Sequence, residues 1–173
     1  MALVGRFDEA VAESRRAIAL DPLSPTILVD GALTLLYAGK TAPALDLARK
    51  AAELDPTFFW PATTEGELAL QVGNFRGAIA KFEQSRTLSA PPFTTAPLAY
   101  PYGMSSDRAH AIATLGELKR ISPGGEVAPF NLALVYLGLG DRRRTLGYLE
   151  QAYAGGSGAP RFMALMRSLN FLK

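Results

Sequence analysis

The chain has 173 residues, 49% of them hydrophobic and 20% charged, a balance that places it among globular proteins and excludes a disordered polar chain. It has no cysteine, which excludes disulfides, thiolate catalysis and cysteine-ligated zinc, and its formal net charge is only +2. Residues 1–90 hold 9 Lys/Arg against 11 Asp/Glu (−2) and residues 91–173 hold 9 against 5 (+4), a contrast too slight for the clustered basic stripe that tracks nucleic acid.

The chain from Met1 to Asp8 lacks the basic and apolar stretches of a leader. No apolar run reaches the roughly 18 residues of a membrane span. The expectation is a chain that meets no membrane and works in the cytoplasm.

In chain order, residues 1–22 read as one helix. Phe7, Val11, Ser14, Ala17 and Ile18 recur at helical spacing, and Asp21-Pro22 stops the run because proline cannot continue the backbone bonding. Residues 25–56 read as a helix pair. Ser24-Pro25 is an N-cap followed by a first-turn proline. Ile27, Leu28, Ala32, Leu35 and Leu36 form the first stripe, Gly39 the turn, and Ala44, Leu47, Ala48 and Ala51 the second stripe. Pro43 falls in the first turn of the second helix, where proline is tolerated.

Residues 59–90 repeat the plan, with Gly66 as the small contact residue, Gly73 as the turn, and Ala78, Phe82 and Ser85 as the second stripe. In residues 92–123 the first helix contains Pro97 and Pro101, so a kinked or shortened helix is expected over Phe93 to Met104. Its partner starts at Ser106-Asp107, carries Ala111, Leu115 and Leu118, and stops at Ser122-Pro123. Residues 126–154 form a last pair, with Ala133 and Tyr136, the turn at Gly140, then Leu146, Leu149 and Ala152. After the Gly-rich break at 155–158, residues 160–172 read as a capping helix.

These units are copies at one step. Gly5, Gly39 and Gly73 stand 34 residues apart, as do Ala10, Ala44 and Ala78, while Asp21-Pro22 maps onto Asp55-Pro56. The step falls to 33 between Ala78 and Ala111 and returns to 34 from Ala111 to Thr145. A 34-residue period with Gly, Ala, Ala and Pro at these places resembles the tetratricopeptide repeat. The resemblance implies an all-α right-handed solenoid of antiparallel helix pairs over residues 1–173, opening on the second helix of a truncated repeat (1–22). Stacked units each bury a face on the next, so that lone opening helix leaves Met1, Leu3, Val4 and Phe7 for a longer parent chain or for another chain to cover. Self-association through it is one expectation.

The last fifty residues are similar to a narrower group. Leu137-Gly-Leu-Gly-Asp141, Tyr148-Leu-Glu-Gln-Ala-Tyr153 and Pro160-Arg-Phe162 resemble the tail of tetratricopeptide regions in large bacterial signalling proteins, where such regions accompany kinases, cyclases and winged-helix regulators. That resemblance implies a regulatory or assembly module.

Catalytic motifs are absent. Ala38-Gly39-Lys40-Thr41 mimics the end of a phosphate-binding loop, but position 34 is threonine where the motif needs glycine, and no strand precedes it. His110 is the only histidine, and Asp107 three residues before it reads as a helix cap beside a solvent-facing imidazole, not part of a triad. One histidine without cysteine does not make a zinc site. Arg142-Arg143-Arg144 after Asp141 is a solvated helix start. Helical RNA-binding repeats lack this Gly–Ala–Ala–Pro pattern, and nothing supports base stacking across units. No enzyme, cofactor or metal is expected.

The resemblance places binding on the first helices. Its groove positions fall on Val29, Leu33 and Tyr37, on Trp60, Thr63, Glu67 and Gln71, on Ala96, Tyr100 and Met104, and on Phe130, Leu134 and Leu137. The variant that clamps a C-terminal carboxylate needs Lys and Asn where this chain has Val29 and Leu33. The face is apolar and aromatic, which points to a peptide segment of another protein as partner.

Overall fold

The computed structural model describes residues 6–89 and 92–155. Most of the described chain falls into helices and their short turns: α1 (Phe7–Leu20), α2 (Pro25–Tyr37), α3 (Thr41–Leu54), α4 (Phe59–Gln71), α5 (Phe75–Leu88), α6 (Pro92–Thr95), α7 (Ala99–Met104), α8 (Arg108–Ile121), α9 (Pro129–Gly138) and α10 (Arg142–Ala154). No strand occurs among the described residues. Helices α2/α3, α4/α5, α7/α8 and α9/α10 pack as consecutive hairpins, and α2 also meets α4 while α7 meets α9. The first helices of successive units therefore adjoin, as in an all-α solenoid. The expected capping helix at 160–172 and the apolar residues Met1, Leu3 and Val4 lie outside the described residues.

Local chemistry sets the element boundaries. Ser24 Oγ accepts from Ile27 N at 3.4 Å, Asn74 Oδ1 from Gly77 N at 2.9 Å, Asp107 Oδ1 from His110 N at 3.2 Å and Asp141 Oδ1 from Arg144 N at 3.0 Å. Each satisfies an N–H that a helix start leaves without an intrahelical partner. The turns inside the hairpins need one left-handed residue, supplied by Gly39 (φ +74°), Gly73 (φ +71°) and Gly140 (φ +74°). In the fourth unit that place falls to Ser106, at φ 62° with a Cβ that disfavours it.

The segment expected as one helix from Phe93 to Met104 is instead α6, a 3₁₀ turn over Ala96–Leu98, and α7. Pro97 and Pro101 remove backbone donors from this stretch, so the long helical ladder cannot continue through it. Pro43, by contrast, sits inside the first turn of α3 without breaking it.

The core follows the repeat. Ala44, Ala48, Ala51, Ala78, Phe82, Ala111, Leu118 and Ala152 are buried along the second helices, and Leu28, Ala32, Leu36, Leu68, Ala99 and Ala133 along the first. Large and small residues exchange places between units. Ala32 and Ala48 are buried at the places where the next unit has Gly66 and Phe82, and the Phe82 ring lies 2.6 Å from where a Cβ on Gly66 would stand. Between α7 and α9 the approach is closer: a Cβ on Gly103 would fall on the carbonyl of Gly138, and one on Gly138 would fall on the carbonyl of Ala99.

A candidate partner-binding face on the first helices

Phe58, Phe59, Trp60 and Phe93 gather where α4 and α6 begin. Trp60 and Phe93 stack with ring centroids 5.5 Å apart and planes 13° from parallel. Phe59 packs against Trp60 at 5.0 Å and against Phe93 at 5.6 Å, and Phe58 meets Phe59 edge-on at 6.0 Å. Phe93 is 43% exposed. Ring contacts between the start of α4 and α6 place this cluster where residues 59–90 and 92–123 join.

Trp60 separates two cavities. On one side, a cavity of about 330 Å³ between α2 and α4 is lined by Thr26, Val29, Asp30, Leu33, Phe58 and Trp60. On the other, a smaller one of about 70 Å³ is lined by Trp60, Glu67, Phe82, Phe93, Pro97, Phe130 and Leu134. Residues from α2, α4, the segment around α6, and α9 thus share one face.

The sequence-derived positions distribute unevenly on it. Trp60, Leu33 and Phe130 line these cavities and keep part of their surface exposed. Tyr100 is half-buried against Phe75 and the α9 core, and burial raises its hydroxyl pKa above the ordinary tyrosine value. Met104 is 50% exposed at the end of α7, and Tyr37 packs beside Leu35 and Leu68. Val29, Glu67 and Leu134 contribute to cavity walls from buried positions, while Leu137 and Ala96 belong to the α7–α9 core.

Two of the positions have structural partners. Thr63 Oγ1 and Ser85 Oγ share a buried hydrogen bond of 2.7 Å that ties α4 to α5. Gln71 Nε2 donates to the Leu36 carbonyl at 3.0 Å and so joins α4 to the end of α2.

Phe58, Phe59, Phe93 and Pro97 were not anticipated as part of this face. Phe93 was within reach of the sequence: it stands 33 residues after Trp60, the same shortened step that carries Thr63 to Ala96.

The second-helix side is built of charge. Arg86 bridges Glu83 and Glu117 at 2.6 and 2.8 Å, and its guanidinium pKa is raised chiefly by the hydrogen bond to Glu83. Tyr102 donates to Glu83 at 3.0 Å and stacks on His110 at 5.0 Å; burial first, then that bond, pushes its pKa up to about 12. His110 Nδ1 lies 2.7 Å from Asp107 Oδ2, and this hydrogen bond holds the Asp107 pKa below the usual carboxylate value. The imidazole is exposed beside the cap of α8. A third cavity, about 500 Å³, opens among α3, α4 and α5; its described lining has no aromatic side chain and carries the Lys81–Glu65 ion pair of 2.8 Å. Among the described residues no group of three His, Asp or Glu is placed to hold a metal ion, and no helix is long and apolar enough to cross a membrane.

A stack of antiparallel helix pairs with its first helices on a common face is a helical-repeat solenoid. Solved structures specify which kind. The chain is similar to a thermophilic TPR protein of Thermus thermophilus (TM-score 0.68, 19% identity, covering 96% of this chain and 92% of that one). It is also similar to a tetratricopeptide repeat protein of Parabacteroides merdae (TM-score 0.71, 15% identity, 96% of this chain and 65% of that one) and to MamA (TM-score 0.59, 21% identity, 87% and 88%). No family profile matches the sequence, and no curated protein matches it. The fold is that of the tetratricopeptide-repeat proteins.

Proposed function

We propose that the protein is a non-catalytic scaffold that binds a peptide segment of a partner protein across the face shared by α2, α4, α6, α7 and α9. The observation that carries this reading is the Trp60–Phe93 stack, part-exposed between two cavities. Aromatic anchors beside pockets supply most of the energy at protein interfaces. The helices behind them are already fixed by the Thr63–Ser85 bond and the Gly66–Phe82 contact, so the scaffold loses little conformational freedom when the partner docks.

The test is selection of binders from a random displayed peptide library, followed by calorimetric titration of synthetic copies. Trp60→Ala combined with Phe93→Ala is expected to abolish binding with helicity unchanged by circular dichroism. Peptides that bind this variant as tightly as the wild type would move the site off the first-helix face.

A regulatory or oligomerisation appendage of a larger bacterial signalling protein is the alternative, and the end of α1 favours it. Leu20 is 87% exposed and the following Leu23 66% exposed, an apolar flank next to the opening helix. Under that reading sedimentation shows concentration-dependent mass, and Leu20→Lys with Leu23→Lys removes it.

A further inference from the structure

The left-handed residues inside the hairpins put the units in register, and one place changes its content from unit to unit. Around Ser106 the residues four before and four after are Tyr102 and His110, and around Gly140 they are Tyr136 and Arg144. Tyr102 stacks on His110 with ring centroids 5.0 Å apart, and the Arg144 guanidinium lies over the Tyr136 ring at 5.1 Å. These two hairpins therefore carry a tyrosine ring covered by a flat polar group. Around Gly73 the same two places hold Ala69 and Gly77. Both line the cavity of about 500 Å³ among α3, α4 and α5. Thr41, also in its wall, stands 34 residues before Phe75, where the next seam again has a ring. The cap of α5 does not require glycine at position 77, because Asp107 and Asp141 cap α8 and α10 in the same way with His110 and Arg144 there.

We propose that this cavity binds a small molecule carrying a phenol ring, which takes the place that Tyr102 and Tyr136 fill in the next two units. Small residues at three ring-bearing places leave the space open, and Leu45, Leu68 and Val72 supply the apolar surface against which a ring packs. Val72 is 69% exposed, so the apolar wall reaches solvent and a ligand can enter. Glu65 has a side chain only 11% exposed and pairs with Lys81 at 2.8 Å. It offers the phenol hydroxyl a carboxylate acceptor, the service that Glu83 gives Tyr102 at 3.0 Å. A mostly apolar wall with a few convergent polar groups, within about 300–1,000 Å³, is the usual make-up of a small-molecule site. The space exceeds a single tyrosine side chain, which favours a free ligand of one or two rings over one side chain of a partner. The cavity shares no lining residue with the two beside Trp60, so the site is separate from the peptide face.

The experiment titrates the isotope-labelled full chain with p-cresol and with β-naphthol and follows the backbone amides by nuclear magnetic resonance. Saturable shifts at Ala69, Val72, Gly77 and Lys81 are expected, with β-naphthol binding about 10-fold tighter than p-cresol. Toluene keeps the ring without the hydroxyl, and cyclohexanol the hydroxyl without the ring; each should bind about 10-fold more weakly than p-cresol. Ala69→Tyr combined with Gly77→His copies the next unit into the place and should abolish binding with helicity unchanged. Ala80→Leu, at an exposed position of the wall, should weaken binding and decides the matter if the double variant does not fold. Trp60→Ala/Phe93→Ala should leave the phenol titration unchanged, so failure of the peptide reading and failure of this one are separate results.

No saturable shift at these amides, or shifts that map to the first-helix face and survive Ala80→Leu, would overturn the proposal. Toluene binding as tightly as p-cresol would overturn the hydroxyl contact, and cyclohexanol doing so would overturn the ring. N-acetyltyrosine amide binding more tightly than β-naphthol would assign the place to a partner's side chain and overturn the free ligand.

Discussion

At the α4–α5 crossing, Gly66 leaves room for the ring of Phe82; at the α7–α9 crossing, Gly103 and Gly138 leave room for main chain. The first contact has a side chain on one side. A ring can turn or be trimmed, and the cost of altering it is the cavity left behind. In the second, carbonyl groups stand where any Cβ would go, and nothing can yield without moving a whole helix. The regular unit tolerates change at its crossing in degrees, and the proline-broken unit does not. A helix as short as α7 has few intrahelical bonds of its own, so it draws its position from this backbone contact.

The largest expected effect tests the unyielding crossing. Gly138→Ala should cost about 5 kcal/mol, at the top of the range for single substitutions, and Gly103→Ala a similar amount; thermal unfolding followed by circular dichroism measures both. Loss of less than about 1 kcal/mol would mean that α7 and α9 can slide apart, and the comparison would fail.

Phe82→Ala should cost about 3–4 kcal/mol, as expected when a large buried aromatic is replaced by a void. In that background Gly66→Ala should become nearly neutral, because the ring it would strike is gone. No such rescue partner exists for Gly138.

A smaller effect distinguishes the two units by pH. Tyr102 of α7 has its pKa raised to about 12 by burial and by its bond to Glu83, whereas an unfolded tyrosine ionises near 10. Below pH 10 the hydroxyl is neutral in both states and its contribution is fully present. As pH rises from 10 towards 12 the unfolded chain loses the proton first, so stability falls. Tyr102→Phe should flatten that part of a stability–pH curve measured by urea unfolding.

The smallest effect falls on the turn. Ser106→Gly relieves a left-handed residue but makes the unfolded chain more flexible, for a net gain of about 0.5 kcal/mol; Gly73→Ser should lose a similar amount.

The repeat made most of the fold legible. Gly39, Gly73, Ala44, Ala78 and Ala51 recur at one step because each unit solves the same packing problem, and the prolines at 97 and 101 announced the interruption of their helix. The Gly103–Gly138 contact was not legible, since it joins residues 35 apart on different units and neither stands at a repeat-defining place. On the candidate face, position in the repeat indicated which residues point inward but not how deeply. Thr63 and Gln71 occupy groove positions, yet their hydrogen bonds to Ser85 and Leu36 depend on what the neighbouring helix offers. Phe93 stands one shortened step after Trp60 and was legible by the same step that placed Ala96.

Gln71 has a mechanical consequence. In a linear stack each unit touches only its neighbours, so a load applied at the ends passes through every seam in turn. The α2/α4 seam carries a tie made by one side-chain amide on the Leu36 carbonyl, while the α7/α9 seam is main chain against main chain. Bending of such a stack is expected to fall more on the seam between α2 and α4 than on the seam between α7 and α9, and the larger cavity that Trp60 lines sits at that softer seam.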